Sequence, residues 1–167
     1  QNWIKGKFEE LGLTVELHDF PMPAGPASDN VIATKLGTKY PDEVVMLGAH
    51  YDSYSNSTSQ PGADDNASGT SAVLEIARIL SQYSFDRTIV FCAFSGEEYG
   101  LYGSKAYALR CAQEGMDILG YFNLDMIGYL EPSSTVIKTS LIYPQSALEL
   151  AQFYTNVCSV YLPEFLV

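Results

Sequence analysis

Acidic and imidazole side chains occur in four short clusters in the middle of the chain. Carboxylates that share a small cleft repel one another, and they stay ionised together only when cations neutralise them. Carboxylates joined by an imidazole form a ligand set that suits zinc. If the clusters converge, the sequence predicts a divalent-metal site, and a carboxylate that bridges two metals would serve a two-metal hydrolytic site. The clusters are His50 with Asp52, Asp64 with Asp65, Glu97 with Glu98, and the single Asp125.

A hydrolytic metal site also needs a general base that takes a proton from water. The adjacent Glu97 and Glu98 could divide these roles, one binding metal and the other binding water. Asp52 follows His50 by two residues, so both side chains can point the same way. Asp52 is then well placed to hold the second imidazole nitrogen, as metal-bound histidines usually require.

Each cluster also has an ordinary structural explanation. Asp64 and Asp65 precede an apolar helix, where an aspartate commonly caps the first turn. His50 could be a hydrogen-bonded histidine at the end of a strand, and Glu97 with Glu98 could lie in a solvated loop. Whether the clusters converge therefore depends on the elements that carry them.

The hydrophobic pattern places three clusters directly after predicted buried strands. The apolar runs EVVMLGAH, RTIVFCAF and ILGYFNL are typical of strands covered on both faces. Helical patterns alternate with these runs, which predicts βαβ units with right-handed crossovers. Sites in such sheets lie at the carboxyl ends of the strands. The α/β pattern therefore predicts that all four clusters meet at one edge of the sheet.

Composition narrows the class of protein. The chain has 167 residues, and its 9 basic against 20 acidic residues give a net charge of −11, which argues against binding nucleic acid or an anionic membrane. Its apolar runs are far shorter than a membrane span requires. The three cysteines contain no CxxC pair, so neither a disulfide framework nor a thiolate zinc site is indicated.

Four motifs carry a resemblance to a known family. HYDS, GADDNASG, SGEEYGLYGS and NLDMIGY, in this order, resemble the dizinc aminopeptidases of metallopeptidase family twenty-eight. The resemblance implies one catalytic domain over residues 1–167 with a three-layer α/β/α zinc-peptidase fold, whose mixed central sheet is mostly parallel. It implies an exopeptidase that hydrolyses N-terminal residues from peptides. A carboxypeptidase or dipeptidase, a glutaminyl-cyclase-like enzyme and a non-catalytic binding domain of the same fold stay open.

The resemblance also implies a role for each motif residue. Asp65 would bridge two zincs, and its peptide bond to Asn66 would be cis. The catalytic pair would be Glu97, as general base, and Asp52, as the partner of a zinc-binding histidine. Met126 would face the pocket for the first side chain of the substrate. The zinc ligands would be His50, Asp65, Glu98 and Asp125.

The sequence departs from the family at one ligand. The family completes its second zinc site with a later histidine, whereas this sequence has only His18 and His50. His18 lies far upstream of the motifs and is expected at the surface. We therefore expect a catalytic domain that is incomplete at its C-terminus, holds one zinc or none tightly, and has little or no peptidase activity alone. The resemblance points to a secreted or periplasmic peptidase, although no signal peptide is visible, and the oligomeric state stays open.

Overall fold

A computed structural model describes residues 1–54 and 61–167 of the chain. The contacts within it define two units, Gln1–Gly128 and Tyr129–Val167. All the predicted site residues, from His50 to Met126, belong to the first unit. The prediction of one catalytic domain over residues 1–167 stays a prediction.

A five-stranded mixed sheet is the framework of the first unit. Its order is β1-β2-β4-β3-β5, with β1–β2 and β2–β4 antiparallel and with β3–β4 and β3–β5 parallel. The predicted mixed sheet is confirmed, but only half of its pairings are parallel because β2 runs antiparallel to both of its neighbours, β1 and β4. The strands are β1 Thr14–Phe20, β2 Ser28–Lys35, β3 Tyr40–His50, β4 Arg87–Phe94 and β5 Asp117–Asn123.

Helices cover both faces of this sheet, as the three-layer prediction requires. On one face, α1 (Asn2–Glu10) and α2 (Gly69–Leu80) bury residues such as Phe8 and Val73 against Phe91 of β4. On the other face, α3 (Tyr102–Glu114) buries Tyr107 and Cys111 against β2, β3 and β4. Successive residues of β4 face opposite layers because strand side chains alternate. The alternating side chains of β3 and β4 therefore contribute to both cores.

The last strand of the sheet differs from the prediction of a buried strand. β5 lies at the edge of the sheet and pairs with β3. Its apolar side chains Ile118, Leu119 and Tyr121 are 38%, 49% and 40% exposed. Among the described residues, the two hydrophobic cores pack over β1 to β4, so the apolar run of β5 is not covered on both of its faces. An apolar run does not by itself distinguish a central strand from an edge strand.

The second unit contains a long helix and a small sheet. The helix is α4 (Leu148–Tyr161), which follows a short 3-10 turn and buries Ala151 and Cys158. The sheet is formed by β6 (Ile137–Lys138), which pairs in parallel with β7 (Phe165–Leu166). Within residues 1–54 and 61–167, none of the helices combines the length and apolar character that crossing a membrane requires.

Candidate metal centre

His50 stands at the centre of the site, at the carboxyl end of β3. Its side chain is only 3% exposed, and its carbonyl oxygen accepts a hydrogen bond from Thr70 Oγ1 at 2.8 Å. Its Nε2 atom lies 3.1 Å from Oδ1 of Asp65 and 3.6 Å from Oδ1 of Asp125. Two carboxylates from different loops therefore face the same ring nitrogen.

Asp65 reaches His50 because the chain kinks before α2. The helical turn Ala63–Ser68 is interrupted by non-helical backbone at Asp65 and Asn66, and the peptide bond between these two residues is cis, as the resemblance implies. Capping of α2 falls to Asn66, whose Oδ1 accepts the amide of Gly69 at 2.9 Å. The Asp65 carboxylate is half exposed and remains available to a ligand.

Asp52 has a different set of contacts from the predicted one. Nδ1 of His50 lies 3.0 Å from the Asp52 carbonyl oxygen and 3.8 Å from the Asp52 carboxylate. The carboxylate instead accepts the backbone amides of Glu97 at 3.2 Å and Glu98 at 3.3 Å. Asp52 therefore contacts the imidazole through its carbonyl and the Glu97–Glu98 turn through its carboxylate, while its catalytic role stays a prediction.

Asn30 also supports the Glu97–Glu98 turn, and the sequence motifs did not predict this residue. Asn30 is fully buried in β2; its Oδ1 accepts the amide of Ser95 at 3.1 Å and its Nδ2 donates to the carbonyl of Gly103 at 2.9 Å. Those two residues bracket the turn that follows β4. A polar side chain in the apolar run NVIA was the one signal in the sequence. His18 lies on β1, where its Nδ1 is 3.0 Å from Nδ2 of Asn30, so it makes a structural contact beside this residue.

Asp125 and Met126 follow β5 by two and three residues. The amide of Leu124 still bonds to the Gly48 carbonyl at 2.8 Å, so Asp125 leaves the sheet beside the end of β3. Met126 adopts a left-handed conformation with φ 50°, and its side chain is 59% exposed. A left-handed backbone is uncommon for residues other than glycine and points to a local functional constraint. The role of Met126 in a substrate pocket stays a prediction.

The donor set fits a zinc ion. His50, Asp65 and Asp125 offer three ligand atoms that all lie within 4.8 Å of one another, and His50 forms a second such group with Glu97 and Glu98. One imidazole and two carboxylates leave room for water in a tetrahedral catalytic zinc site. A cleft of about 280 Å³ adjoins this group, and its walls include Tyr54, Asp65 and Glu98. The structure thus brings the predicted ligands together at one edge of the sheet, while their roles stay predictions.

The charged groups of the site shift one another's pKa values. Burial lowers the pKa of His50, but the hydrogen bond with Asp52 and the charges of Asp125 and Glu97 outweigh it and raise that pKa to about 9. Burial raises the pKa of Glu97, and the nearby carboxylates add to this effect against the opposing charge of His50. Burial also acts to raise the pKa of Asp52, yet the His50 imidazole 3.8 Å from its carboxylate and the two glutamate amides that donate to it leave that pKa below its ordinary value. These carboxylates therefore favour a positive charge at their centre.

Comparison with known sequences identifies the family. The profile of peptidase family M28 matches residues 30–164. The chain belongs to peptidase family M28. It is 36% identical over 159 residues to leucine aminopeptidase 1 of Leptosphaeria maculans, covering 85% of this chain and 39% of that protein. It is 35% identical over 147 residues to a probable zinc metalloprotease of Pyrenophora teres f. teres, covering 77% and 32%. The M28 chain therefore spans about a third of the length of these relatives.

Solved structures confirm the fold of this M28 chain. The zinc aminopeptidase BSAP from Bacillus subtilis is 31% identical, with a TM-score of 0.67 over 84% of this chain and 34% of that chain. A glutaminyl cyclase from Bacteroides thetaiotaomicron is 22% identical, with a TM-score of 0.76 over 98% of this chain and 65% of that chain. The second likeness establishes the shared α/β fold and no more.

Proposed function

We propose that the protein to which this chain belongs is a zinc-dependent aminopeptidase, an exopeptidase that hydrolyses N-terminal residues from peptides. The observation that carries the proposal is the convergence of Asp65 and Asp125 on Nε2 of His50, at 3.1 and 3.6 Å, in a chain of an M28 peptidase family. The aminopeptidases among its relatives and structural neighbours support the choice of substrate.

The residues have separate tasks in this proposal. His50, Asp65 and Asp125 hold one zinc, and Asp65 with Glu98 contributes to a second zinc site. Zinc, when bound, polarises the scissile carbonyl and lowers the pKa of water. Glu97 takes the proton from the attacking water and passes it to the leaving amine, and its raised pKa brings it closer to the working range of a general base. Asp52 keeps Glu97 and Glu98 in position through their amides.

Substrate and location complete the proposal. We propose peptides as the binding partners, and neither nucleic acid nor membrane, because the net charge of −11 disfavours polyanions. We also propose a secreted or periplasmic location, which rests on the resemblance of the motifs alone.

A substrate panel tests the proposed function. The whole protein to which this chain belongs, supplied with zinc, is incubated with peptides that carry a free N-terminus, with the same peptides blocked at the N-terminus, and with peptides that begin with glutamine. Release of the first residue from free peptides alone supports an aminopeptidase. Cleavage from the carboxyl end would favour a carboxypeptidase, and cyclisation of N-terminal glutamine without hydrolysis would favour a glutaminyl cyclase; either result contradicts the proposal.

A further inference from the structure

The loop that carries Asp125 is bound by three side chains of the segment that carries Asp65. The three side chains belong to alternate residues, Asp64, Asn66 and Ser68, and each accepts a backbone amide from one of three consecutive residues, 126–128. The bonds are Gly128 N to Asp64 Oδ1 at 2.7 Å, Ile127 N to Ser68 Oγ at 3.0 Å, and Met126 N to Asn66 Oδ1 at 3.4 Å.

Asn66 closes the arrangement from the other side of Asp125. Its Nδ2 atom donates to the carbonyl of Leu124 at 2.9 Å, while its Oδ1 faces the amide of Met126. Asn66 itself is only 1% exposed, so its end of these bonds is shielded from water. One amide side chain therefore binds the residues on both sides of Asp125.

Two glycines permit the two segments to approach this closely. A Cβ atom on Gly69 would lie 2.3 Å from the Leu124 carbonyl oxygen, and one on Gly128 would lie 2.8 Å from Cβ of Ser68. Real Cβ atoms do not approach other atoms so closely, and the Leu124 contact is to backbone that cannot turn aside. The packing of the two segments thus depends on these contacts as much as on the hydrogen bonds.

We propose that Asp64, Asn66 and Ser68 form a clasp that sets the separation of the Asp65 and Asp125 carboxylates and thereby tunes the affinity of the site for metal. Asp65 lies between two clasp residues, and Asp125 lies between Leu124 and Met126, which the clasp binds. The clasp also holds Met126 at its left-handed φ of 50° through the amides of residues 126 and 127. The proposal rests on the zinc site of the proposed function, and it assigns Asp64 a positioning role through an oxygen atom that accepts a hydrogen bond.

A pair of variants at one residue separates this role from a simple charge effect. Asp64→Ala removes the oxygen that accepts the Gly128 amide, whereas Asp64→Asn removes the charge and keeps an oxygen acceptor. A clasp predicts that only the alanine variant weakens metal binding. An electrostatic role predicts that both variants weaken it equally, because both lose the negative charge.

Ser68→Ala tests the second bond with a neutral side chain. It has a matched control in Ser81→Ala at the other end of α2, where the hydroxyl donates to the Arg78 carbonyl at 2.9 Å. Both variants remove one helix-associated hydroxyl, but only Ser68 contacts the Asp125 loop. The control therefore corrects for the general effect of losing a serine hydroxyl in this helix.

The measurements are the dissociation constants of Zn²⁺ and Co²⁺ for the full chain, by competition with a chelator, and the visible absorption spectrum of bound Co²⁺. Contacts that orient metal ligands are worth roughly 10- to 100-fold in affinity. We expect a loss of that size and an altered cobalt spectrum in Asp64→Ala and Ser68→Ala, with Asp64→Asn and Ser81→Ala close to the unmodified chain. Circular dichroism shows which variants are folded; should Ser68→Ala fail to fold, the two Asp64 variants decide.

Each other result overturns a specific statement. Equal losses in Asp64→Ala and Asp64→Asn, or affinities unchanged in Asp64→Ala and Ser68→Ala, overturn the clasp while leaving the zinc site intact. An unmodified chain that binds neither metal overturns the clasp together with the zinc site. Weakened metal binding in the clasp variants, together with a whole protein that cleaves no peptide, supports the clasp and overturns the proposed aminopeptidase activity alone.

Discussion

Glu97 and Glu98 are neighbours in the chain, but their surroundings differ. The carboxylate of Glu98 accepts the amide of Tyr54 at 3.0 Å and lines the cleft beside Asp65. Burial raises the pKa of Glu97, so its carboxylate takes up a proton more readily than an ordinary glutamate. This difference supports Glu97 as the group that transfers protons and Glu98 as the group that faces metal.

The first prediction concerns the proton transfer. Glu97→Gln keeps the size of the side chain but removes the base, and general base catalysis contributes roughly 10²- to 10⁴-fold in rate. In the whole protein to which this chain belongs, we expect kcat on a free-N-terminal peptide to fall by that factor, with zinc content unchanged. Glu75→Gln is the control, because Glu75 forms an exposed ion pair with Arg78 on α2. Equal rates for Glu97→Gln and Glu75→Gln would contradict the role of Glu97.

The residues of the metal centre were predictable because their positions follow a rule of the fold. His50, Glu97 and Asp125 each come at or shortly after the end of a strand, and parallel strands bring their carboxyl ends to one edge. The clasp and Asn30 were not predictable in this way. Their partners lie about 60 to 73 residues away, and periodicity carries no information on such hydrogen bonds.

At the scale of elements, β2 supports the site without carrying any of its ligands. β2 lies against β4, and Asn30 near its beginning binds both ends of the turn between β4 and α3. The turn backbone is further closed by the bond from the Gly103 amide to the Ser95 carbonyl at 3.1 Å. The orientation of the glutamates therefore depends on a strand that precedes them by more than 60 residues in the chain.

The second prediction tests this dependence. Asn30→Ala leaves the buried Ser95 amide without its acceptor and removes the side-chain bond to the Gly103 carbonyl, and an unsatisfied buried group costs about 1–3 kcal/mol. We expect the free energy of unfolding, measured with denaturant, to fall by at least that amount, and the rate of peptide cleavage to fall as well. Asn156→Ala on the exposed surface of α4 is the control, with an expected change within about 0.5 kcal/mol. A stable Asn30→Ala variant with full activity would show that the turn keeps its conformation without Asn30.

β5 shows where reasoning from the pattern of an element fails. Its apolar run predicts burial on both faces, yet Ile118, Leu119 and Tyr121 are partly exposed at the edge of the sheet. Hydrophobicity specifies that a strand can be buried, whereas its cover is supplied by tertiary contacts from other segments. The same run still carries Asp125 to the correct edge, because strand direction and not burial determines where the residues after the strand lie.

At the scale of the whole molecule, one imidazole links the candidate metal ligands. Among the residues that the structure describes, ligand atoms form two groups, His50 with Asp65 and Asp125, and His50 with Glu97 and Glu98. His50 belongs to both groups, and its Nδ1 faces the Asp52 carbonyl, which leaves Nε2 to face the carboxylates. The two groups therefore compete for one nitrogen atom.

The last prediction follows from this competition. A zinc bound by His50, Asp65 and Asp125 has three protein ligands and a position for water, whereas Asp65 and Glu98 alone offer two carboxylates and hold zinc weakly. We expect elemental analysis after dialysis of the 167-residue chain to find at most one zinc per monomer. His50→Ala should abolish tight binding, while Glu98→Ala, as its matched control at the same edge, should leave the zinc content nearly unchanged. Two zincs per monomer would mean that a further ligand is supplied from outside this set of residues, for example by a second copy of the chain.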